Sequence, residues 1–290
     1  MGRGIHSLKE DLIEKAYTIL EEIHPASVRA VCYRLFTSGA IDSMEKKNTQ
    51  KVSRALVYGR ENGLIPWEWI VDETRSIERS PTWSDKEEFA IAASEQFRRD
   101  YWDYQPCRIE VWSEKGTVRG TLAPVLKKYA VGFQVMHGFG SATAVKMAAD
   151  ASNNDEKRRV VLYVGDYDCS GLHMSAVDLP ERIERYGGNI ELTRLALTEF
   201  DVNHRGLPSF PASDKSKDPR FKWFVKKYGT LCWELDALSP VILRQTVELA
   251  IDSAINQDAW DRCARAEKAE QETLKIVMRN WAAMKEVDVD

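Results

Sequence analysis

The sequence predicts an α/β chain: a small N-terminal helical unit closing on a strand, then a mainly parallel sheet with crossover helices, then C-terminal helices. Three observations predict it. Apolar residues recur at helical spacing three times before residue 60, with glycine stops at Gly39 and Gly63. From Arg108 onward, strand-like and helix-like stretches alternate, the pattern of β-α-β crossovers. Within that part VVLYVG is a continuous apolar run, as expected of a strand buried on both faces. A chain of 290 residues, at about 150 residues per domain, suggests two domains. The expected division is 1–80, a connecting helix at 81–103, the sheet domain at 104–235 and a helical segment at 236–290.

The first helix puts Leu8, Leu12, Ala16, Ile19, Leu20 and Ile23 on one face, with Ser7 and Glu10 at capping-box spacing. Pro25 restarts the chain, and ASVRAVCYRLF turns Val28, Val31, Cys32, Leu35 and Phe36 inward. The third helix begins near Thr49 and buries Val52, Ala55 and Leu56, leaving Lys51, Arg54 and Arg60 largely outward. LIPWEWIV then alternates like a strand or hairpin arm. Three short helices, the third basic, followed by a strand is the order of a winged helix-turn-helix, whose third helix enters the major groove of DNA. A helical cap on the larger domain would read the same way. Ser84 with Glu87 caps a helix carrying Phe89, Ala92, Ala93, Phe97 and Tyr101. The strands that follow are RIEVW, VGFQVM, VVLYVG and IELTRLAL, with helices beginning near Lys115, Ser141 and Gly171. SNNDEKRR (152–159) reads as a surface loop, and two helices follow Pro240.

Composition narrows the function classes. An apolar fraction of 43% and a charged fraction of 30% are those of a globular protein. No apolar run reaches membrane-span length and the N-terminus lacks a signal-peptide core, so a cytoplasmic protein without a membrane partner is expected. The five cysteines form no CxxC pair, which argues against a zinc ribbon or a disulfide framework. Net charge is −4, yet residues 25–60 and 204–229 are each rich in Lys and Arg. Such segments suit phosphate-binding faces, or simply solvated surface.

The chemistry concentrates at strand ends, beyond which parallel sheets bind ligands. Glu114 follows the first strand, and Asp166 and Asp168 follow the third, in VLYVGDYDCSG. In an extended turn, residues i and i+2 project the same way, so both aspartates can face one ion. Glu114 joins them if the two strands are neighbours. Three such carboxylates suit Mg²⁺, with Mn²⁺ as a substitute. Aspartates also cap turns and helices, so the pair alone is weak evidence. HGFGSAT (137–143) begins like a dinucleotide fingerprint but has Thr143 at the third small position, and a tight turn is the better reading. Glu234 and Asp236, in WELDAL, either extend the acidic site or cap the following helix. Lys215 to Lys227 could track a DNA backbone.

IEVWSEK together with VGDYDCSG resembles the TOPRIM fold, a Rossmann-like domain whose glutamate and DxD aspartates form one acidic metal site. The match is nearer to the A subunits of type IIB topoisomerases (topoisomerase VI) and the related meiotic double-strand-break proteins, which join a winged helix to TOPRIM in this order. RAVCYRLF places Arg29 and Tyr33 at that family's nucleophile motif, and GFGSATAV and LCWELDALSP also resemble its stretches. The resemblance spans about residues 20–250. It implies Mg²⁺-dependent cleavage of double-stranded DNA, with Tyr33 as nucleophile and Arg29 stabilising charge. Glu114 would be a general acid/base or third ligand, and Asp166 and Asp168 the other ligands. It further implies a homodimer in which one subunit's tyrosine meets the other's metal site. The chain departs from the pattern by having Cys32 in place of a first tyrosine, and by carrying no Walker-type GxxxxGK[ST]. Strand passage would therefore need a separate ATPase subunit. Two other readings remain: a hydrolytic TOPRIM nuclease of defence or repair, and a non-catalytic DNA-binding protein.

Overall fold

The computed structural model of the chain describes residues 2–71, 80–136, 142–154 and 156–284, with side chains from residue 10. In chain order the elements begin with α1 (Gly2–Ile23), β1 (Ala26–Ser27), α2 (Val28–Thr37), α3 (Lys46–Glu61), β2 (Ile70–Val71) and α4 (Lys86–Gln96). The sheet region follows as β3 (Cys107–Ser113), α5 (Thr117–Tyr129), β4 (Gly132–Val135), α6 (Ala142–Asn153) and β5 (Arg158–Val164). After it come α7 (Cys169–His173), a π turn (Met174–Asp178), α8 (Leu179–Arg185), β6 (Ile190–Ala196) and α9 (Glu199–His204). The chain continues through β7 (Phe210–Pro211), a 3₁₀ turn (Ala212–Lys215), α10 (Phe221–Tyr228) and β8 (Leu231–Cys232), then α11 (Pro240–Ala254) and α12 (Gln257–Ala282).

Contacts divide the chain into residues 1–74 with 109–253, and residues 75–108 with 254–290. This differs from the division expected above. The N-terminal helices and the sheet form one unit, and the helix expected as a connector belongs to the other. In the smaller unit α4 packs on α12. Arg99 forks onto Glu270 at 2.7 and 2.8 Å, and Trp260 packs on Tyr101 and Trp102. The α4 cap falls one residue later than the sequence suggested: Asp85, not Ser84, accepts from the Glu88 amide at 2.7 Å.

In the larger unit α1–α3 enclose Leu20, Leu35 and Leu56, each fully buried. Such burial contributes about 1.5–3 kcal/mol per side chain. The helix-forming pattern is as the sequence indicated, with α1 starting five residues before Ser7 and α3 three before Thr49. LIPWEWIV departs from expectation. It forms a 3₁₀ turn at Trp67–Trp69 and the two-residue strand β2, which pairs parallel with β1. Pro66 at the turn's N-cap has no N–H to give a ladder, so the alternating stretch cannot run on as a hairpin arm.

The sheet runs in the order β4-β3-β5-β6, and the β3–β4 and β5–β6 pairs are parallel. Its core holds Trp112, Met136, Val145, Val161, Tyr163 and Met174. β3 and β5 are therefore neighbours, the condition for Glu114 to meet the aspartates. SNNDEKRR is divided between the end of α6 and the start of β5 and is not one loop. The HGFGS part of the glycine-rich stretch, with His137, lies outside the described residues.

Candidate functional site

β5 delivers Asp166 and Asp168 past its end, and both are buried, 6% and 1% exposed. Asp168 is also the N-cap of α7: its Oδ1 accepts from the Gly171 amide at 2.8 Å. The capping reading thus holds for this side chain, and its other oxygen, Oδ2, faces the Lys215 ammonium. Asp166 Oδ1 accepts from the Leu235 amide at 2.7 Å and pairs with Lys115 Nζ at 2.8 Å. Tyr167, between them, exchanges two backbone hydrogen bonds with Trp233, which ties this turn to the segment carrying Glu234 and Asp236.

Arg194, on β6, braces the turn from below. Its guanidinium donates to the carbonyls of Gly165, Asp166, Gly171 and Leu197 and to Ser175 Oγ. Five acceptors on one planar fork fix the backbone on both sides of the aspartates. Gly171 is required at the same place, since a Cβ there would stand 2.3 Å from the Asp166 carbonyl oxygen. Gly171→Ala is therefore expected to displace the turn and to lower the melting temperature by several degrees. A variant melting within a degree of wild type would show that the turn accommodates a side chain.

Glu114 follows β3, and among the described residues no donor bonds its carboxyl. Burial, then the charges of Asp166 and Asp168, push it up to about 7. The lysines answer part of this negative charge. Lys115 Nζ lies between Asp166 and Asp236 Oδ2, the latter at 2.9 Å. Burial would lower its ammonium, yet the two aspartates outweigh burial and hold it above the ordinary lysine range. Burial likewise pushes Asp236 up, but Lys115, the Ser27 hydroxyl and Arg29 hold it below the usual carboxylate range. Among the described residues no three His, Cys, Asp or Glu side chains converge as a ready-made metal cage. The donor set nevertheless suits a hard cation: Glu114, Asp166 and Asp168 are oxygen donors on adjacent strand ends, and Glu114 is a partly buried carboxyl that forms no ion pair among the described residues.

The raised Glu114 group has a consequence for stability. Between its ordinary value of 4.5 and about 7 the folded chain keeps a proton that the unfolded chain has lost. Stability therefore falls as pH rises through that window, by roughly 3 kcal/mol in all. Chemical unfolding in chelator should show Glu114→Gln gaining on wild type by this order between pH 4.5 and pH 8. Parallel stability curves for the two proteins would disprove it.

The remaining predicted residues fall in two groups. Arg29 and Tyr33, on α2, lie against the same acidic segment. Arg29 forks onto Glu234, its guanidinium carbon is 5.9 Å from the Tyr33 ring centroid, and Ser27 donates to Asp236. Tyr33 is 4% exposed, and burial, then Glu234, push its hydroxyl above the usual tyrosine range. On α3, Lys51 and Arg54 are exposed. Arg60 is not outward as expected: it is buried, with its guanidinium 4.8 Å from the Trp67 ring centroid. The reason is the 3₁₀ turn after Pro66, which brings Trp67 over the end of α3.

Sequence reasoning missed Lys115 and Arg194, and it read Lys215 as tracking a DNA backbone, not as the partner of Asp168. Lys115 adjoins Glu114, a weak signal that was available; the other two carry none. Glu234 and Asp236, left between two readings, join the site through Arg29 and Lys115. The fold and the strand-end cluster define an α/β protein with a buried acidic centre balanced by lysines. No family model matches the chain, and no curated protein matches it. Among the described residues no helix is long and apolar enough to cross a membrane.

Proposed function

We propose that this chain cleaves double-stranded DNA by tyrosine transesterification with Mg²⁺, in the manner of a topoisomerase VI A subunit and its TOPRIM domain. One observation carries the reading: the segment Trp233–Asp236 meets Arg29 through Glu234, Lys115 through Asp236 and Asp166 through the Leu235 amide, and so joins the helix that carries Tyr33 to the strand ends that carry Glu114 and the two aspartates. In this reading α1–α3 act as a winged helix-turn-helix, with Lys51 and Arg54 on the DNA face.

The Tyr33 hydroxyl oxygen attacks phosphorus as its proton passes to water, and the bond to the 3′ oxygen breaks, leaving that oxygen to take up a proton. Arg29 stabilises charge beside the phenol. Glu114, with a carboxyl near 7, is suited to return a proton to the leaving oxygen. Asp166 and Asp168 would hold the Mg²⁺, with Glu114 as a third ligand in the alternative in which it is not the acid; when bound, the ion supplies positive charge to the phosphate. A homodimer and a separate ATPase subunit belong to the same proposal.

A second reading, hydrolysis by activated water, is favoured by the burial of Tyr33 as a neutral phenol. The experiment that tests the first uses supercoiled plasmid with Mg²⁺ or chelator, stopped in detergent and divided with and without protease. Ends that stay protein-bound until protease is added support transesterification. Free ends favour hydrolysis, and Asp166→Asn should stop either. No cutting with Mg²⁺ would count against both.

A further inference from the structure

A polar cavity lies beside Tyr33's helix. Arg34, the residue after Tyr33, lines a space of about 240 Å³ together with Thr37, Arg205, Leu207, Ser239 and Ile242. That is several times the roughly 30 Å³ of a water molecule. Arg34 Nη2 donates to the Ala237 carbonyl at 2.6 Å, which fixes the guanidinium. Its Nε is buried and has no acceptor. Among the described residues no carboxylate pairs with Arg34, and burial alone lowers its pKa.

Arg34 is half-buried, and a partly desolvated guanidinium without a counter-ion is stabilised by an anion that completes it. The other walls supply no such anion. Arg205 Nε pairs with Asp201 at 2.7 Å, and that carboxylate is already engaged by the Thr198 amide and hydroxyl at 2.8 Å. Two arginines therefore face the cavity with one carboxylate, itself saturated. The Thr37 hydroxyl donates back to the Tyr33 and Arg34 carbonyls. Among the described residues the Ser239 hydroxyl is unengaged and open to an acceptor.

We propose that this cavity is a phosphate site, taking one oxyanion between Arg34 and Arg205, and that the phosphate belongs to a nucleic-acid backbone. The backbone assignment rests on the DNA-cleaving reading; the phosphate chemistry does not. Arg34 follows Tyr33 directly, and its anchor, Ala237, follows Asp236. The site would thus hold a phosphodiester near the one that Tyr33 attacks and fix the strand's register.

The test measures binding in chelator, so that no metal contributes. Inorganic phosphate is followed by thermal shift, and a labelled duplex by anisotropy across a salt series. Phosphate should raise the wild-type melting temperature and leave Arg34→Gln unmoved. The duplex should bind Arg34→Gln roughly tenfold more weakly, with the salt slope reduced by about one. Arg205→Gln should lose affinity in the same direction and serves alone if Arg34→Gln fails to fold. Lys146→Gln, an exposed control on α6, should match wild type. Folded variants that keep wild-type phosphate and duplex binding overturn the proposal. Phosphate stabilisation without any duplex binding overturns the backbone assignment and leaves a free-phosphate site. Arg34-dependent duplex binding by a wild type that never cuts DNA supports the pocket and removes the cleavage reading instead.

Discussion

Tyr33→Phe is expected to abolish protein-linked DNA breaks, a loss on the order of 10³-fold or more, while leaving the fold intact. The substitution removes one oxygen and keeps a ring that is 4% exposed. Among the described residues no group hydrogen-bonds that hydroxyl, so the lost atom leaves no partner stranded. Stability should change by less than about 1 kcal/mol. Activity and folding are thereby separated, which few substitutions at a buried centre allow. Burial and Glu234 hold the wild-type hydroxyl protonated well past its ordinary range. Rising pH should accordingly favour the tyrosine's attack, while above about pH 7 the loss of the Glu114 proton that the leaving oxygen needs opposes it. The check is the detergent-stopped plasmid assay with and without protease, beside thermal melts of both proteins. A Tyr33→Phe enzyme that still leaves breaks, all with free ends, would reduce Tyr33 to a structural aromatic and assign the chemistry to water.

The acidic half of this centre was legible in the sequence because a single rule locates it. Apolar runs buried in a parallel sheet end where ligands bind, and VLYVGDYD and IEVWSE both end in carboxylates. Adjacency of the two strands was an assumption, and the order β4-β3-β5-β6 supplies it. The basic half was not legible. Lys215 stands 47 residues from Asp168, and nothing local marks it as that aspartate's partner. Arg194 sits within an ordinary strand pattern, and its five acceptors are mostly backbone carbonyls, which no side-chain motif encodes. Arg60 was read as outward, yet it lies four residues after the buried Leu56, at the edge of the inward face of α3. The Trp67 turn then covered it, a tertiary event beyond the helix. The two-unit division was missed for the same reason. α4 and α12 are far apart in sequence, and only their packing shows that they belong together.

Lys115→Met is expected to be the most destabilising single change at the site, by about 3–5 kcal/mol near neutral pH. Met keeps most of the aliphatic stem, so the loss reports on the ammonium. That group lies 2.8 Å from Asp166, which is buried, and 2.9 Å from Asp236, whose side chain is 13% exposed. Removing it leaves two negative charges beside Glu114 and Asp168, with Arg29, Arg194 and Lys215 as the remaining cations around them. Asp236 is held below its ordinary value in the folded chain largely through Lys115, so the stability it contributes is present above that ordinary value and lost in acid. The deficit of the variant should consequently be greatest at pH 7 and shrink as pH falls toward 4, where protonation discharges the stranded aspartates. Urea unfolding at the two pH values decides it. A loss below 1 kcal/mol, or one equal at both, would mean that water reaches the aspartates and that Lys115 is not their internal counter-ion. Asp236→Leu added to Lys115→Met should recover part of the loss, because deleting both members of a buried pair costs less than deleting one. The recovery should be incomplete, since Asp166 still lacks its cation. That remainder measures how far the acidic centre depends on positive charge, from lysine or from a bound metal.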